Sequence, residues 1–178
     1  LPVNDADEVM LVSASGMGIR FSESDVRPMG RSAAGVRGMR LKVDDLVIGS
    51  AVITPGTRLL TVTDGGFAKR TDPDDFTRQG RGGQGVRAHR IRGDRGTVVA
   101  ANLVDENAEV FLITDAGVII RTPVVSISEY GRDAMGVTVM RLDDDTRVVA
   151  VAPVVGSDDE EAEDVEDVED PDGANEQD

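Results

Sequence analysis

The chain has 178 residues, enough for an ordinary core, with 39% apolar residues, 3% aromatics and neither tryptophan nor cysteine. That composition excludes a disulfide scaffold and a thiolate metal site, and no run approaches the ~20 apolar residues of a helical membrane span. The formal net charge is −15, but 13 of the 34 acidic residues fall within 157–178, which holds no basic residue, so the body of the chain is nearly neutral.

Residues 1–6 carry no initiator Met, charged n-region or apolar h-region, and read as a cut end or linker inside a longer protein. A first unit, 7–56, opens with VMLVS (9–13) and MGIRF (17–21) around a glycine turn, the pattern of a β-hairpin. A loop follows, ending in GRSAAGV from Gly30, then two further strand-like runs, VRGMRL and LVIGSAVI. The second unit, 57–106, repeats this order. LLTVT and FAKR flank Asp-Gly-Gly, the loop ends in GRGGQGV from Gly80, and VRAHRI and TVVAANLV follow. The third unit, 107–156, has FLIT and VIIR around Asp-Ala-Gly, GRDAMGV from Gly131, then VTVMRL and VVAVAPV. The loop motif G-R-x-x-x-G-V recurs at spacings of 50 and 51, and so do Gly16, Gly66 and Gly117 and the strand-ending Arg20, Arg70 and Arg121. Three markers in one register define an internal repeat of the length of a propeller blade. The sequence therefore predicts an all-β chain of three four-stranded repeats forming part of a disc. The acidic stretch 157–178 has too little apolar surface to offset chain entropy and is predicted to be disordered.

The repeats also sort the charge. Of 19 basic residues 17 are arginine, whose planar fork suits phosphate oxygens. Residues 57–104 hold nine basic and five acidic residues, whereas 108–154 hold four and seven. Six arginines, from Arg78 to Arg95, lie within 18 residues around the glycine-rich loop. Bare glycine N–H groups and guanidinium charge together suit a duplex backbone rather than base edges. The predicted contacts are Arg20, Arg31, Arg37, Lys69, Arg70, Arg78, Arg81, Gly82, Gly83, Arg87, Arg90, Arg92, Arg121 and Arg132. Arg20, Arg70 and Arg121 are read as rim contacts at one place on successive blades. Gly80, Gly82 and Gly85 also fit G-x-G-x-x-G, but a strand-like run follows instead of a helix, so a dinucleotide site is rejected. His89 stands where Met39 and Met140 stand and reads as packing, as do Met17, Met29 and Met135. Tyr130 reads as packing on its loop, and Asp143–Asp145 as a solvated turn rather than a cation site.

IRFSESDVRPMGRSAAGVRGMRL (19–41) and VIIRTPVVSISEYGRDAMGVTVMRL (118–142), with the acidic tail, resemble the C-terminal domain of DNA gyrase A subunits, over essentially residues 7–178. The resemblance implies a β-pinwheel, a propeller whose blades exchange strands, of which this chain is the last half. It implies wrapping of duplex DNA in support of ATP-dependent negative supercoiling. The partners implied are the rest of the gyrase A chain together with gyrase B, in the cytoplasm at the nucleoid and away from membranes. No catalytic residue or cofactor is expected in this segment, ATP and magnesium belonging to other parts of the holoenzyme. Residues 79–85, QGRGGQG, resemble the family's Q-R-R-G-G-K-G box, with glycine for its first arginine and glutamine for its lysine. Two alternatives stay open on the sequence: the equivalent domain of topoisomerase IV, and a protein-binding propeller without a nucleic-acid role.

Overall fold

A computed structural model describes residue 4 and residues 7–154. The acidic stretch 157–178 lies outside the described residues. Eleven strands and four single 3₁₀ turns make up the regular structure among the described residues, with no α-helix, and no helix is long and apolar enough to cross a membrane. The strands are β1 (Glu8–Ser13), β2 (Met17–Ser22), β3 (Val47–Val52), β4 (Arg58–Thr63), β5 (Phe67–Thr71), β6 (Val86–Arg87), β7 (Val98–Val104), β8 (Glu109–Thr114), β9 (Ile119–Pro123), β10 (Val137–Thr138) and β11 (Val148–Pro153).

They form three antiparallel sheets ordered β3-β1-β2-β6, β7-β4-β5-β10 and β11-β8-β9. The first three strands of each sheet come from one repeat. The fourth strand of the first two sheets is supplied by the following repeat. β6 pairs with β2 through Met17↔Arg87 and Gly18↔Val86, and β10 pairs with β5 through Val137↔Ala68 and Thr138↔Phe67. The run VRGMRL (36–41) is therefore not a strand, contrary to the sequence expectation, and VRAHRI and VTVMRL are strands only at their first two residues. Such a run becomes strand by pairing with the hairpin of the unit before it, and no such hairpin precedes 36–41 among the described residues.

Most of the core lies between sheets, while a smaller cluster of Ile19, Phe21 and Met39 is formed within the first unit alone. Met10, Val12, Leu59, Phe76, Ala88 and Ala101 fill the space between the first two sheets. Leu60, Val62, Val110, Leu112, Val124, Ile127 and Val148 belong to the cluster between the second and third. Side chains alternate along a strand, so Leu59 and Leu60 of β4 serve opposite layers. This explains the unbroken burial of β4 from Leu59 to Thr63. The valine-rich strands fit this two-sided burial. At the inner edge β3 packs on β7 and β7 on β11. There Gly49 lies so close to its neighbour that a Cβ would sit 2.4 Å from the Ala101 carbonyl oxygen. Met29, expected in the core, is instead exposed.

The strand exchange is fastened at Gly66. Its carbonyl accepts the N–H groups of Val139 (2.9 Å) and Met140 (3.3 Å), as the Gly16 carbonyl accepts those of Ala88 (2.8 Å) and His89 (3.0 Å). Gly66 has φ +78°, and a Cβ there would stand 2.3 Å from the Met140 carbonyl oxygen. Gly117 has the same backbone, φ +79°, but nothing within 4 Å of a Cβ. The two positions separate backbone strain from the cost of expelling the donated strand. Gly117→Ala is expected to destabilise by about 1 kcal/mol from φ alone. Gly66→Ala should cost roughly 2 kcal/mol more by breaking the joint. Urea unfolding of both variants measures the difference.

Candidate nucleic-acid interface

Arg20 on β2, Arg70 on β5 and Arg121 on β9 do occupy equivalent places, but each is already engaged by a carboxylate of the chain. Arg20 donates from Nε to Glu8 (2.6 Å) and from its NH1 group to the Pro73 carbonyl and Asp74 (both 2.8 Å). Arg70 is buried, donating to the Ile127 carbonyl (2.6 Å) and to Glu106 (2.8 Å). Arg121 is exposed, but its Nε donates to Glu109 at 2.8 Å within its own hairpin. The rail of repeat arginines expected from the sequence is therefore corrected. These side chains are turned onto carboxylates, because the strand opposite offers Glu8 in the first unit and Glu109 in the third. In the second unit the same position is Arg58, which reaches forward to Glu129 at 3.0 Å, and Arg70 takes Glu106 instead.

Lys69 is also corrected. It is fully buried, in the slot held by Ile19 and Ile120, and its Nζ donates to the carbonyls of Gly131 (2.8 Å) and Arg132 (2.7 Å). Burial pushes the amine down to about 8. Lys69 thus secures the third unit's loop from below and cannot reach a phosphate.

The remaining cations concentrate where the second unit's loop crosses the first unit. The Gly82 N–H donates to the Gly38 carbonyl (2.6 Å), and the Arg40 N–H to the Gly83 carbonyl (2.8 Å). Arg81 lies across this seam, donating to the carbonyls of Asp25 (2.8 Å) and Arg37 (3.2 Å), so its charge meets no carboxylate. Arg31, Arg37 and Arg40 are exposed, and no ion pair engages them among the described residues. A cleft of about 430 Å³ next along the chain brings Lys42 and Arg92 beside Arg87 and Arg90. Arg78 is exposed, 3.8 Å from Glu8, and Arg132 is half-buried. Arg40 and Lys42 join this group beyond the contacts the sequence predicts, and the signal for Arg40 is its repeat register with Arg90 and Arg141.

Arg87 and Arg90 differ from the pair Arg37 and Arg40. Asp133, from the third unit's loop, accepts from Arg87 at 2.8 Å and from Arg90 at 2.6 Å. Those hydrogen bonds, Arg90's first, hold the Asp133 carboxyl well below the ordinary carboxylate range. Tyr130, expected to pack on the loop, is exposed beside Asp72, Asp74, Asp75 and Glu129.

His89 is buried beneath the cleft. Its Nε2 lies 3.0 Å from the Met135 carbonyl, which can only accept, so Nε2 carries the proton and Nδ1 accepts from the Thr61 hydroxyl at 2.9 Å. Burial, reinforced by the Lys69 charge, pushes the imidazole down to about 4 from an ordinary 6.5.

Stacked sheets in which each repeat completes the sheet before it define a strand-exchanging β-propeller, and arginines that meet no carboxylate among the described residues gather at the seam between two repeats. The family model described as the DNA gyrase C-terminal domain, beta-propeller, matches residues 7–54, 57–105 and 108–154, and the chain belongs to that family. It is 43% identical over 152 residues to the DNA gyrase A protein of Streptomyces coelicolor, covering 84% of this chain and 18% of that relative. The chain thus spans less than a fifth of that relative's length. Among solved structures it resembles a DNA gyrase A C-terminal domain with TM-score 0.78 and 30% identity, covering 86% of this chain and 52% of the other. It resembles the C-terminal domain of a DNA topoisomerase IV with TM-score 0.78 and 26% identity, covering 84% and 47%.

Two measurements follow from this geometry. Arg70→Ala should destabilise by about 2 kcal/mol, because it leaves the buried Ile127 carbonyl without its donor, while the exposed Glu106 is taken up by water. Arg121→Ala, which removes an exposed local pair, should cost under ~1 kcal/mol in the same denaturant titration. For His89 the folded pKa lies below the unfolded one, so the unfolded chain takes up the proton first. The His89 contribution to stability is fully present above about pH 6.5 and is lost as the pH drops towards 4. The wild type should lose of the order of 3 kcal/mol more across that window than His89→Met, read from unfolding free energies at each pH.

Proposed function

We propose that this chain binds and bends duplex DNA along the seam between its first two repeats, as the C-terminal part of a gyrase A protein. It would work with gyrase B in an A2B2 holoenzyme, in the cytoplasm on the nucleoid. The ATP-dependent strand passage and its magnesium chemistry are assigned to other parts of that assembly, and this segment is given the holding of DNA. Wrapping in a fixed hand would bias strand passage towards negative supercoiling.

The observation that carries the reading is the density of uncompensated arginine at the seam. Arg31, Arg37, Arg40 and Arg81 meet no carboxylate among the described residues, although the chain as a whole is strongly acidic. The Gly82 N–H is already taken by the Gly38 carbonyl, so the guanidinium groups rather than glycine amides supply this surface, which suits phosphate rather than bases. Bending 20–30 bp costs about 1–6 kcal/mol, which several phosphate contacts can offset. The 42–45% identity to gyrase A proteins favours gyrase over the equivalent topoisomerase IV domain.

Fluorescence anisotropy with a 30-bp duplex of arbitrary sequence tests the reading. Neutralising four phosphates gives a log–log salt slope of about −3.6, with little dependence on sequence. A slope near zero overturns it. The double variant Arg37→Ala/Arg40→Ala should weaken binding more than Arg87→Ala/Arg90→Ala, one of whose two charges Asp133 already compensates.

A further inference from the structure

Two arginine pairs occupy equivalent places in successive repeats. Arg37 and Arg40 stand in the first as Arg87 and Arg90 stand in the second. The backbone around them is also equivalent. The Arg40 N–H donates to the Gly83 carbonyl at 2.8 Å, and the Arg90 N–H to the Ala134 carbonyl at 3.0 Å. Each pair faces the loop of the following repeat at the residue after Gly-Arg. For Arg37 and Arg40 that residue is Gly82. For Arg87 and Arg90 it is Asp133.

The difference is chemical. The Asp133 carboxylate takes one oxygen to Arg87 (2.8 Å) and the other to Arg90 (2.6 Å), with Arg90 Nε a further 3.4 Å from the first oxygen. A tetrahedral phosphate bridging two guanidinium groups would place its oxygens in the same positions. The three side chains remain partly exposed, 51%, 42% and 44% for Arg87, Arg90 and Asp133, so the position is open to solvent and to a ligand. Gly82 offers no such group, and its pair is left for an incoming anion.

We infer that Arg87 and Arg90 form a second phosphate subsite and that Asp133 occupies it as a built-in competitor, attenuating DNA binding at the second joint relative to the first. This rests on the DNA-binding reading above. An exposed ion pair is weak, so a phosphate can displace the carboxylate at modest cost. The joint then engages DNA after the first one has brought the duplex close, because the local concentration of phosphate is by then high. The path along the rim acquires a tight seat followed by a conditional one.

The test uses the full chain, a 30-bp duplex and a series of salt concentrations, with Asp133→Ser (the residue of the first repeat at this place is Ser32) and Asp133→Asn. Both should bind about five-fold more tightly at low salt. Their log–log slope should be steeper by about 0.9 to 1.8, one or two further phosphates. The gain should vanish when Arg87 and Arg90 are already alanine, and Asp144→Asn, an exposed carboxylate elsewhere, should show no comparable gain. Unchanged affinity and slope in both Asp133 variants overturns the inference. Weaker binding also overturns it, because the carboxylate would then be orienting the arginines rather than competing. A gain that persists without the two arginines reduces the effect to bulk charge and overturns it too. In each of these cases a steep wild-type slope leaves the binding reading standing, whereas a flat wild-type slope removes both.

Discussion

The structure depends on one repeated interaction: a glycine carbonyl at a hairpin turn accepting two successive N–H groups from the next repeat. Gly16 does this for Ala88 and His89, and Gly66 for Val139 and Met140. The bonds are backbone to backbone, so they tolerate sequence change around them, but they require the turn to have no side chain on that side. No sheet of four strands is complete within its own repeat. Unfolding one unit must therefore strip the outer strand from the one before it, and the repeats stand or fall in neighbouring pairs. Two of the buried clusters follow the same logic, since each lies between two sheets and belongs to neither.

The exchange also decides which cations are free. A strand that crosses between units brings its neighbours' carboxylates and carbonyls with it. Arg20 reaches Asp74 and the Pro73 carbonyl, Arg70 reaches the Ile127 carbonyl, and Arg58 reaches Glu129. These arginines bind the units together and are neutralised or buried in doing so. The loop residues at the seam meet mainly backbone carbonyls, which satisfy hydrogen bonds without cancelling charge. A guanidinium held by carbonyls keeps its field, as Arg81 does, and that distinction separates fastening from binding across the molecule.

Much of this architecture is readable from the sequence, because hairpins, glycine turns and the repeat register are local signals. The three hairpins fall within a residue or two of their predicted limits. The repeat cannot reveal what each arginine faces. Register establishes that Arg20, Arg70 and Arg121 are equivalent, whereas their partners come from other strands and other units. Two clues are present nonetheless. Glu8 and Glu109 share a repeat position, directly placed to meet Arg20 and Arg121 across a hairpin. Lys69 interrupts a column otherwise held by Ile19 and Ile120, which marks it as a buried exception. The run 36–41 reads as strand because its sequence matches those of β6 and β10, while strand formation there depends on an acceptor hairpin supplied by the preceding unit.

The close approach at Gly49 governs more than local packing. The inner strands β3 and β7 carry Gly49 and Ala100 at matching register positions, and the close approach of Gly49 to Ala101 makes a narrow waist between the first two sheets. A small change in separation at the waist is magnified towards the periphery, as at the tip of a fan. Side-chain bulk at one such residue would therefore reset the spacing of arginines far from it, and with it the radius of any polymer laid over them. Curvature of the outer surface would then depend on the smallest side chains of the molecule.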